Sequence, residues 1–509
     1  MLVKINSIAN VGLETIPVDV EVDVADKGFP GFTIVGLASK AVEEARERVK
    51  TAMVNSGFDF PPKKIMVNLA PADLPKDGAA YDLPIAIGVL IASGQLERLT
   101  ADALFYGELS LDGTLRPTRG ILLLALYANT LQGASIFVPK PSAPEATMVA
   151  NVTVYPVGTL TDLVRHLNQT IPIKPLAHDT IRTDEEFDSG ESDLKDIAGQ
   201  EQAKRALVIA AAGGHNLLMW GPPGTGKTML ARALPGILPP LSPEEALEVT
   251  RIYSVSGLLA PGTSILTKRP FRSPHHGVSA AGLIGGGSSP QPGEVSLAHL
   301  GVLFLDEMPE FSRSVLEGIR QPMEDGAVEI VRVMGHVKYP ASFTLIAAIN
   351  PCPCGYLGHP RRACTCTQKM IAKYRHRLSG PIVDRIDLTV LVAPVEVEKL
   401  SVTTQADNNT LTSRQAKLMV VKARAIQSQR FTGTHLYTNS QMKNREVKLF
   451  GKLTAEAENF LKLAAEKYDF SARSYMRLIK VARTIADLAG AETILPVHMA
   501  EALQYKQLA

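Results

Sequence analysis

The chain opens on short segments whose hydrophobic period keeps changing. Ile16-Pro-Val-Asp-Val-Glu-Val-Asp-Val alternates apolar and polar residues, the pattern of a half-buried strand. Between Ser39 and Asn55 the period lengthens: Val42, Ala45, Val49, Ala52 and Met53 fall on one helical face and charges on the other. A strand is predicted over 64–69, a buried helix over 83–93, a hairpin turning at Asp112-Gly113 over 104–117, a helix over 121–131 and a strand over 135–138. This alternation predicts an α+β domain over residues 1–170. Pro172, Pro175 and the run Thr183-Asp-Glu-Glu-Phe-Asp make 171–192 read as an exposed linker. Three apolar runs follow, Asn216–Trp220, Gly301–Leu305 and Phe343–Ile349, each short enough to be one buried strand, and the second and third end in Asp306 and Asn350. Val328–Lys338 reads as a second hairpin, turning near Met334-Gly335. After a polar stretch over 396–415, helical periodicity dominates: 413–428, 454–467, 471–489 and 496–506. The pattern is that of a multidomain α/β protein, with an α/β core over 193–395 and a helical domain over 396–509.

Composition narrows this modestly. A chain of 509 residues has room for roughly three or four domains. With 53 basic against 51 acidic side chains, no global charge drives nucleic-acid binding, so any such binding must come from local basic surfaces. The N-terminal residues lack the charged-then-apolar layout of a secretion signal, and no apolar run reaches the ~18 residues needed to span a bilayer, so a cytoplasmic protein without a membrane partner is expected. All four cysteines fall between 352 and 366, which suits a local metal site in a reducing compartment better than a disulfide framework.

The chemistry centres on Gly221-Pro222-Pro223-Gly224-Thr225-Gly226-Lys227-Thr228, placed after the strand over 216–220 and before Met229-Leu-Ala-Arg-Ala-Leu, which reads as a helix start. Strand, glycine-rich loop and helix in that order form a phosphate cradle: backbone N–H groups turn inward and the helix N-terminus adds partial positive charge. Lys227 would reach the β- and γ-phosphates of ATP, and Thr228 would hold Mg²⁺. Asp306, at the end of the strand over 301–305, would orient the same ion, and Glu307 would polarise the attacking water. Asn350, at the end of the next strand, can bond the γ-phosphate or the lytic water. A helical domain behind such a core is a lid arrangement.

Two other constellations stand out. Cys352-Pro-Cys354 and Cys364-Thr-Cys366 are two C-x-C pairs that could hold structural Zn²⁺ through four thiolates, with redox-active thiols and an iron–sulfur cluster as alternatives. A stretch without acids follows, from 355 to 383, carrying Arg361, Arg362, Lys369, Lys373, Arg375 and Arg377. The long segment 251–300 contains Lys268-Arg269-Pro-Phe-Arg272-Ser-Pro-His275-His276 and the flexible run Gly282-Leu-Ile-Gly-Gly-Gly-Ser-Ser. With Arg332 and Lys338 of the second hairpin, Lys268, Arg269 and Arg272 are candidate DNA contacts. His275 and His276 suit a helix end or a phosphate better than a metal.

The order GPPGTGKT, LFLDE, strand-Asn and Gly380-Pro-Ile-Val-Asp-Arg385-Ile-Asp-Leu resembles an AAA+ ATPase. Asp196-Ile-Ala-Gly-Gln200, the run from Pro292 to Glu307 and Ser471-Ala-Arg-Ser-Tyr resemble its magnesium-chelatase-like branch, and within it the YifB/ComM group of competence-associated ATPases. The resemblance implies a homo-oligomeric ring, usually a hexamer, with active sites between subunits. Arg385 would then be an arginine finger reaching a neighbour's γ-phosphate, Arg473 the lid's sensor arginine, and Ile197 an apolar contact near adenine. It also implies that the inserts project into the ring pore. Leu74-Pro-Lys-Asp-Gly-Ala-Ala-Tyr-Asp-Leu-Pro, Gly107–Pro117 and Ile136–Lys140 resemble the Lon-protease-like, ribosomal-S5-like fold. There the nucleophile position holds Ala80 and the base falls near Leu122, so proteolysis is not expected. That domain would serve ring assembly or DNA binding, with Lys63, Lys64 and Lys76 as candidate contacts. The expected function is an ATP-driven ring motor acting on single-stranded or branched DNA, a helicase or branch-migration activity in natural transformation. The alternative is a chelatase-like or chaperone-type motor that remodels a protein.

Overall fold

The structure is a computed structural model, and it describes all residues except 38, 75, 77, 98–101, 180–191, 288–289, 333–334, 360–361, 378–379, 396–409 and 507–509. Most of the expected linker and of the polar stretch over 396–415 therefore lies outside the described residues, as do Arg361 and the turn residue Met334.

The N-terminal part is a seven-stranded mixed sheet in the order Gly31–Val35, Lys64–Ala70, Glu14–Ala25, Leu2–Val11, Ala103–Phe105, Ser135–Pro139, Thr153–Val157. Val18, Val20, Val22 and Val24 point to one face and are buried, which is the alternation read in the sequence. The helix Asp82–Ala92, apolar from Leu83 onward, lies across that face. Leu2–Val11 has a mixed pattern and was not anticipated as a strand, yet its antiparallel pairing with Glu14–Ala25 builds the sheet's centre. Two expectations change in detail. The helix over 39–55 is broken at Glu44 into Lys40–Glu43 and Ala45–Asn55. The hairpin at Asp112-Gly113 is short, Glu108–Leu109 with Leu115–Arg116, because Ala103–Phe105 is drawn into the large sheet instead.

The central sheet has five parallel strands in the order Phe271–Arg272, Val302–Leu305, Thr344–Ile349, Leu217–Trp220, Leu388–Leu391. Its edge strand, Phe271–Arg272, comes from inside the segment expected to be a flexible basic insert. What remains of that insert among the described residues is the helix Ala280–Ile284 and a small pairing of Gly285–Gly286 with Gln291–Pro292. The hairpin Ala327–Arg332 with Gly335–Pro340 forms as expected and buries Val328, Ile330, Val337 and Tyr339 on one face.

The C-terminal helices Ser413–Arg430, Ala455–Lys467, Ala472–Leu488 and Pro496–Gln504 do not stand apart. Val420, Ala423, Ile485 and Met499 share one apolar cluster with Leu207, Leu217 and Leu234 of the nucleotide core. Ser413 and Asp193 cap each other's segments: Leu194 N–H donates to Ser413 Oγ at 2.8 Å, and Ser413 N–H donates to Asp193 Oδ1 at 2.9 Å. The N-terminal sheet docks on the core through the helix Pro243–Ser256. Arg251 donates to the Leu13 carbonyl at 3.0 Å, and the Ser254 hydroxyl donates to the buried Glu145 carboxyl at 2.6 Å. The hairpin tip at Gly12 rests so closely on Val337 that no side chain fits at position 12, whose φ is +63°.

Candidate nucleotide site

The phosphate loop leaves Leu217–Trp220 and enters the helix Lys227–Ile237, with Gly224 and Gly226 at φ +76° and +90°, a backbone that L side chains resist. Gly221 is packed against the Val392 carbonyl, again with no room for a Cβ. The loop is therefore pinned at its entrance and left-handed where its N–H groups must turn. Residues Pro223 to Met229 with Asp306, Glu307 and Asn350 line one open cleft of about 370 Å³. Lys227 Nζ donates to the Gly221 and Pro222 carbonyls at 2.7 and 2.8 Å and to Asn350 Oδ1 at 3.2 Å. Burial lowers its pKa from the ordinary lysine value, and the Asp306 and Glu307 charges oppose that shift. The Thr228 hydroxyl donates to Asp306 Oδ2 at 3.1 Å. Hard oxygens so placed suit Mg²⁺, so the donor set fits the expected ion. Glu307 sits at φ +50°, a conformation rare for a non-glycine residue, with its N–H on Asp306 Oδ1 at 3.0 Å. Of the sequence-predicted residues of this half, Pro223 to Met229, Asp306, Glu307 and Asn350 line the cleft, Gly221 and Pro222 lie at the loop's entrance with their carbonyls on Lys227, and Ile197 is buried in the core. The Asp196–Gln200 segment is instead tied to the loop by Gln200, whose amide donates to the Thr225 carbonyl at 3.5 Å and to the Ala393 carbonyl at 2.6 Å.

Arg385 and Arg473 lie outside that cleft and meet each other on one acid. Glu324, at the end of the helix Arg313–Asp325, accepts from Arg473 at 2.7 Å and is also paired with Arg385. The Arg473 hydrogen bond, with Arg385 beside it, holds the Glu324 carboxyl below its ordinary pKa. Sequence reasoning did not identify Glu324, an acid without a distinctive neighbourhood in the chain. Nor did it find the buried link from core to lid, in which His215 contacts Asp387 Oδ2 at 3.1 Å and Thr484 Oγ1 at 2.8 Å.

The candidate DNA contacts divide. Arg269 is largely covered, donating to the Pro239 and Leu300 carbonyls at 2.6 and 2.7 Å and paired with Glu245 at 3.0 Å. Arg272 forms a two-pronged pair with Glu294 at 2.6 and 2.7 Å. Both guanidinium groups are thus engaged by carboxylates at the sheet edge. Lys268 is exposed, Lys338 is exposed with Glu329 at 3.7 Å, and the Arg332 side chain lies outside the described residues. In the N-terminal part Lys76 is fully buried with its ammonium on the Pro71 carbonyl. Lys63 pairs with Asp26 at 2.8 Å, and Lys64 is exposed. The His275 and His276 rings lie 4.0 Å apart and tilted, and neither joins a metal-ligand group among the described residues. Ala80 and Leu122 are both buried in one apolar cluster, so no nucleophile or base occupies those positions.

A five-stranded parallel sheet that presents a phosphate loop, an acidic strand end and a strand-end asparagine to one cleft defines a P-loop nucleotide-hydrolase core. Comparison with known proteins narrows this. Residues 193–400 match the family described as "Magnesium chelatase, subunit ChlI", 20–142 match "Subunit ChlI of Mg-chelatase" and 410–506 match "Magnesium chelatase, subunit ChlI C-terminal". The chain is 44% identical to competence protein ComM of Haemophilus influenzae, over 100% of this chain and 98% of that protein. It is 42% identical to the uncharacterized protein YifB of Escherichia coli, over 98% of this chain and 96% of that protein. Identity falls to 28% over 30% of the chain for the magnesium-chelatase 38 kDa subunit of Rhodobacter capsulatus, which matches over 49% of its own length. The chain belongs to the ComM/YifB family of magnesium-chelatase-like AAA+ ATPases. No helix among the described residues is long and apolar enough to cross a membrane.

Proposed function

We propose that this chain is the subunit of a homo-oligomeric, hexameric ring in the cytoplasm that couples ATP hydrolysis to movement on single-stranded or branched DNA, as a helicase or branch-migration motor in the uptake of transforming DNA. The observation that carries the ring is the separation of the two halves of the chemistry. Lys227, Thr228, Asp306, Glu307 and Asn350 share one cleft, while Arg385 and Arg473 are gathered on Glu324 and line no part of it. In the assembled site Lys227 grips the β- and γ-phosphates, and Thr228 with Asp306 would hold Mg²⁺, which would supply positive charge against the phosphates. Glu307 orients the water and Asn350 aligns it with the γ-phosphate. Arg385 and Arg473 are supplied by the neighbouring copy, where a planar, permanently charged group can bridge phosphate oxygens. Support for DNA as the substrate is the full-length similarity to a protein named for competence. Exposed Lys268 and Lys338, with Arg332, are the candidate backbone contacts.

The match to magnesium-chelatase subunits favours a second reading, a motor that remodels a protein partner. The experiment that separates them is the ATPase rate with and without single-stranded and branched DNA, beside a Lys227→Ala control. Stimulation by DNA together with strand displacement is expected. Neither effect would move the assignment to protein remodelling.

A further inference from the structure

The four cysteines have a neighbour that the sequence could not show. Cys352 lies two residues beyond Asn350, whose side chain touches Lys227. Gly355, at φ +82°, packs on the ring of Pro223 in the phosphate loop, so closely that a Cβ there would stand 2.6 Å from Pro223 Cδ. Tyr374, in the helix Gln368–Arg375 that follows the last cysteine, is buried with its hydroxyl against the Asn350 backbone. The cysteine loop therefore forms one wall behind the phosphate loop.

Nothing regular holds that wall up. Among the described residues from 351 to 367 there is neither helix nor strand. What gathers the segment is sulfur: Cys352 Sγ lies 3.3 Å from Cys354 Sγ and 3.6 Å from Cys364 Sγ, and all four thiols fall within 4.8 Å of one another. A single tetrahedral ion with bonds of about 2.3 Å sets sulfur–sulfur separations near ~3.8 Å, whereas a four-iron cluster would hold its cysteines farther apart. Backbone N–H groups already point at the sulfurs: Leu357 to Cys352 at 3.3 Å, Cys354 to Cys366 at 3.4 Å and Cys366 to Cys364 at 3.4 Å. Such donors offset the negative charge of a thiolate set.

We propose that Cys352, Cys354, Cys364 and Cys366 hold one divalent ion of the zinc class, and that this ion braces the phosphate loop through the Gly355–Pro223 contact and Asn350. The inference goes beyond the motor assignment, because it concerns how tightly a nucleotide is held rather than what the motor moves. Metal and nucleotide are then coupled ligands, and the coupling is reciprocal: each tightens the other by one common factor.

The test uses the full chain, purified under reducing conditions without chelator. Elemental analysis is expected to give one zinc per chain, lost in Cys354→Ser and Cys364→Ser. Stripping the wild-type protein should weaken binding of a fluorescent ATP analogue by about fivefold or more, and added zinc should restore it. Saturating nucleotide should hold back zinc from a chromogenic chelator by the same factor. Gly355→Ala keeps all four thiols, so it should retain zinc yet bind nucleotide less tightly; it also serves if the cysteine variants fail to fold. Absence of zinc, iron in its place, or disulfides among the four would overturn the metal site. Full zinc whose removal leaves nucleotide affinity unchanged would overturn the brace. Failure of the zinc-loaded wild type to bind nucleotide would strike the motor assignment instead, and the metal stoichiometry would still decide the site.

Discussion

The phosphate cleft and the Glu324 junction are built from the same kinds of side chain and behave in opposite ways. In the cleft, Lys227 is nearly buried, and the acids beside it point into open space that a nucleotide and its metal can fill. At the junction, two arginines share one glutamate at a seam between core and lid, which leaves positive charge in excess, with Arg385 largely covered and Arg473 about half exposed. In the cleft the Lys227 ammonium rests on backbone carbonyls and Asn350 Oδ1, neutral contacts that a phosphate can replace. The junction stores its cations on a carboxylate that a stronger anion can displace. Under the proposed function, a single chain carries a receptor for the nucleotide and a separate donor of positive charge.

The strongest way to break this comparison is to separate the halves genetically. Lys227→Ala should abolish nucleotide binding, whereas Arg385→Ala should leave binding intact and lower turnover by roughly 10³-fold. Mixing the two variants should recover part of the ATPase rate, since some junctions then pair an intact cleft with an intact finger. A mixture as inactive as its parents would mean that the two halves do not complete each other across subunits. Glu324→Gln should have a smaller effect, a change of a few-fold in turnover. It leaves both arginines charged but loosens their placement, because partly exposed pairs of this kind hold about 0–1 kcal/mol. The comparison sharpens if the change appears in kcat and not in the KM for ATP.

The smallest effect concerns the docking of the N-terminal sheet rather than either half of the site. Burial raises the Glu145 pKa from 4.5 to about 7, and the Ser254 hydroxyl bonds that carboxyl across the interface. A raised acid favours the folded form fully below its ordinary value, and this contribution is lost as pH rises through about 7. The melting temperature should therefore carry a downward slope through that window, and Glu145→Gln, neutral at every pH, should flatten it. An unchanged slope would show that the interface does not sense this proton.

What could be read in advance divides along a physical line. The phosphate loop was legible because its chemistry is local: eight consecutive residues fix glycine turns, a lysine and a hydroxyl. Asp306 and Asn350 were legible because each ends an unmistakably apolar strand. The pairings of Arg269 and Arg272 were not legible because a cation in the sequence does not announce its partner. Glu245 stands 24 residues before the first and Glu294 stands 22 after the second, and only the fold brings them together. The strand Phe271–Arg272 is two residues long, too short to show any period. Glu324 was invisible for a related reason, since its role comes entirely from two arginines distant in the chain. Lys76 shows the converse limit, an apparently ordinary surface lysine whose ammonium is enclosed.

The seat of Gly12 against Val337 also has a consequence for synthesis. All strands of the N-terminal sheet have left the ribosome by Val157, yet the helix on which that sheet docks begins at Pro243 and the hairpin at Ala327. At usual elongation rates the first gap lasts roughly 4–17 s and the second about twice as long. During that interval Val11 and Leu13 lack the hairpin side chains of the cluster they later pack against. A newborn chain of this protein must therefore carry an unfinished apolar face for seconds before its own later residues arrive to close it.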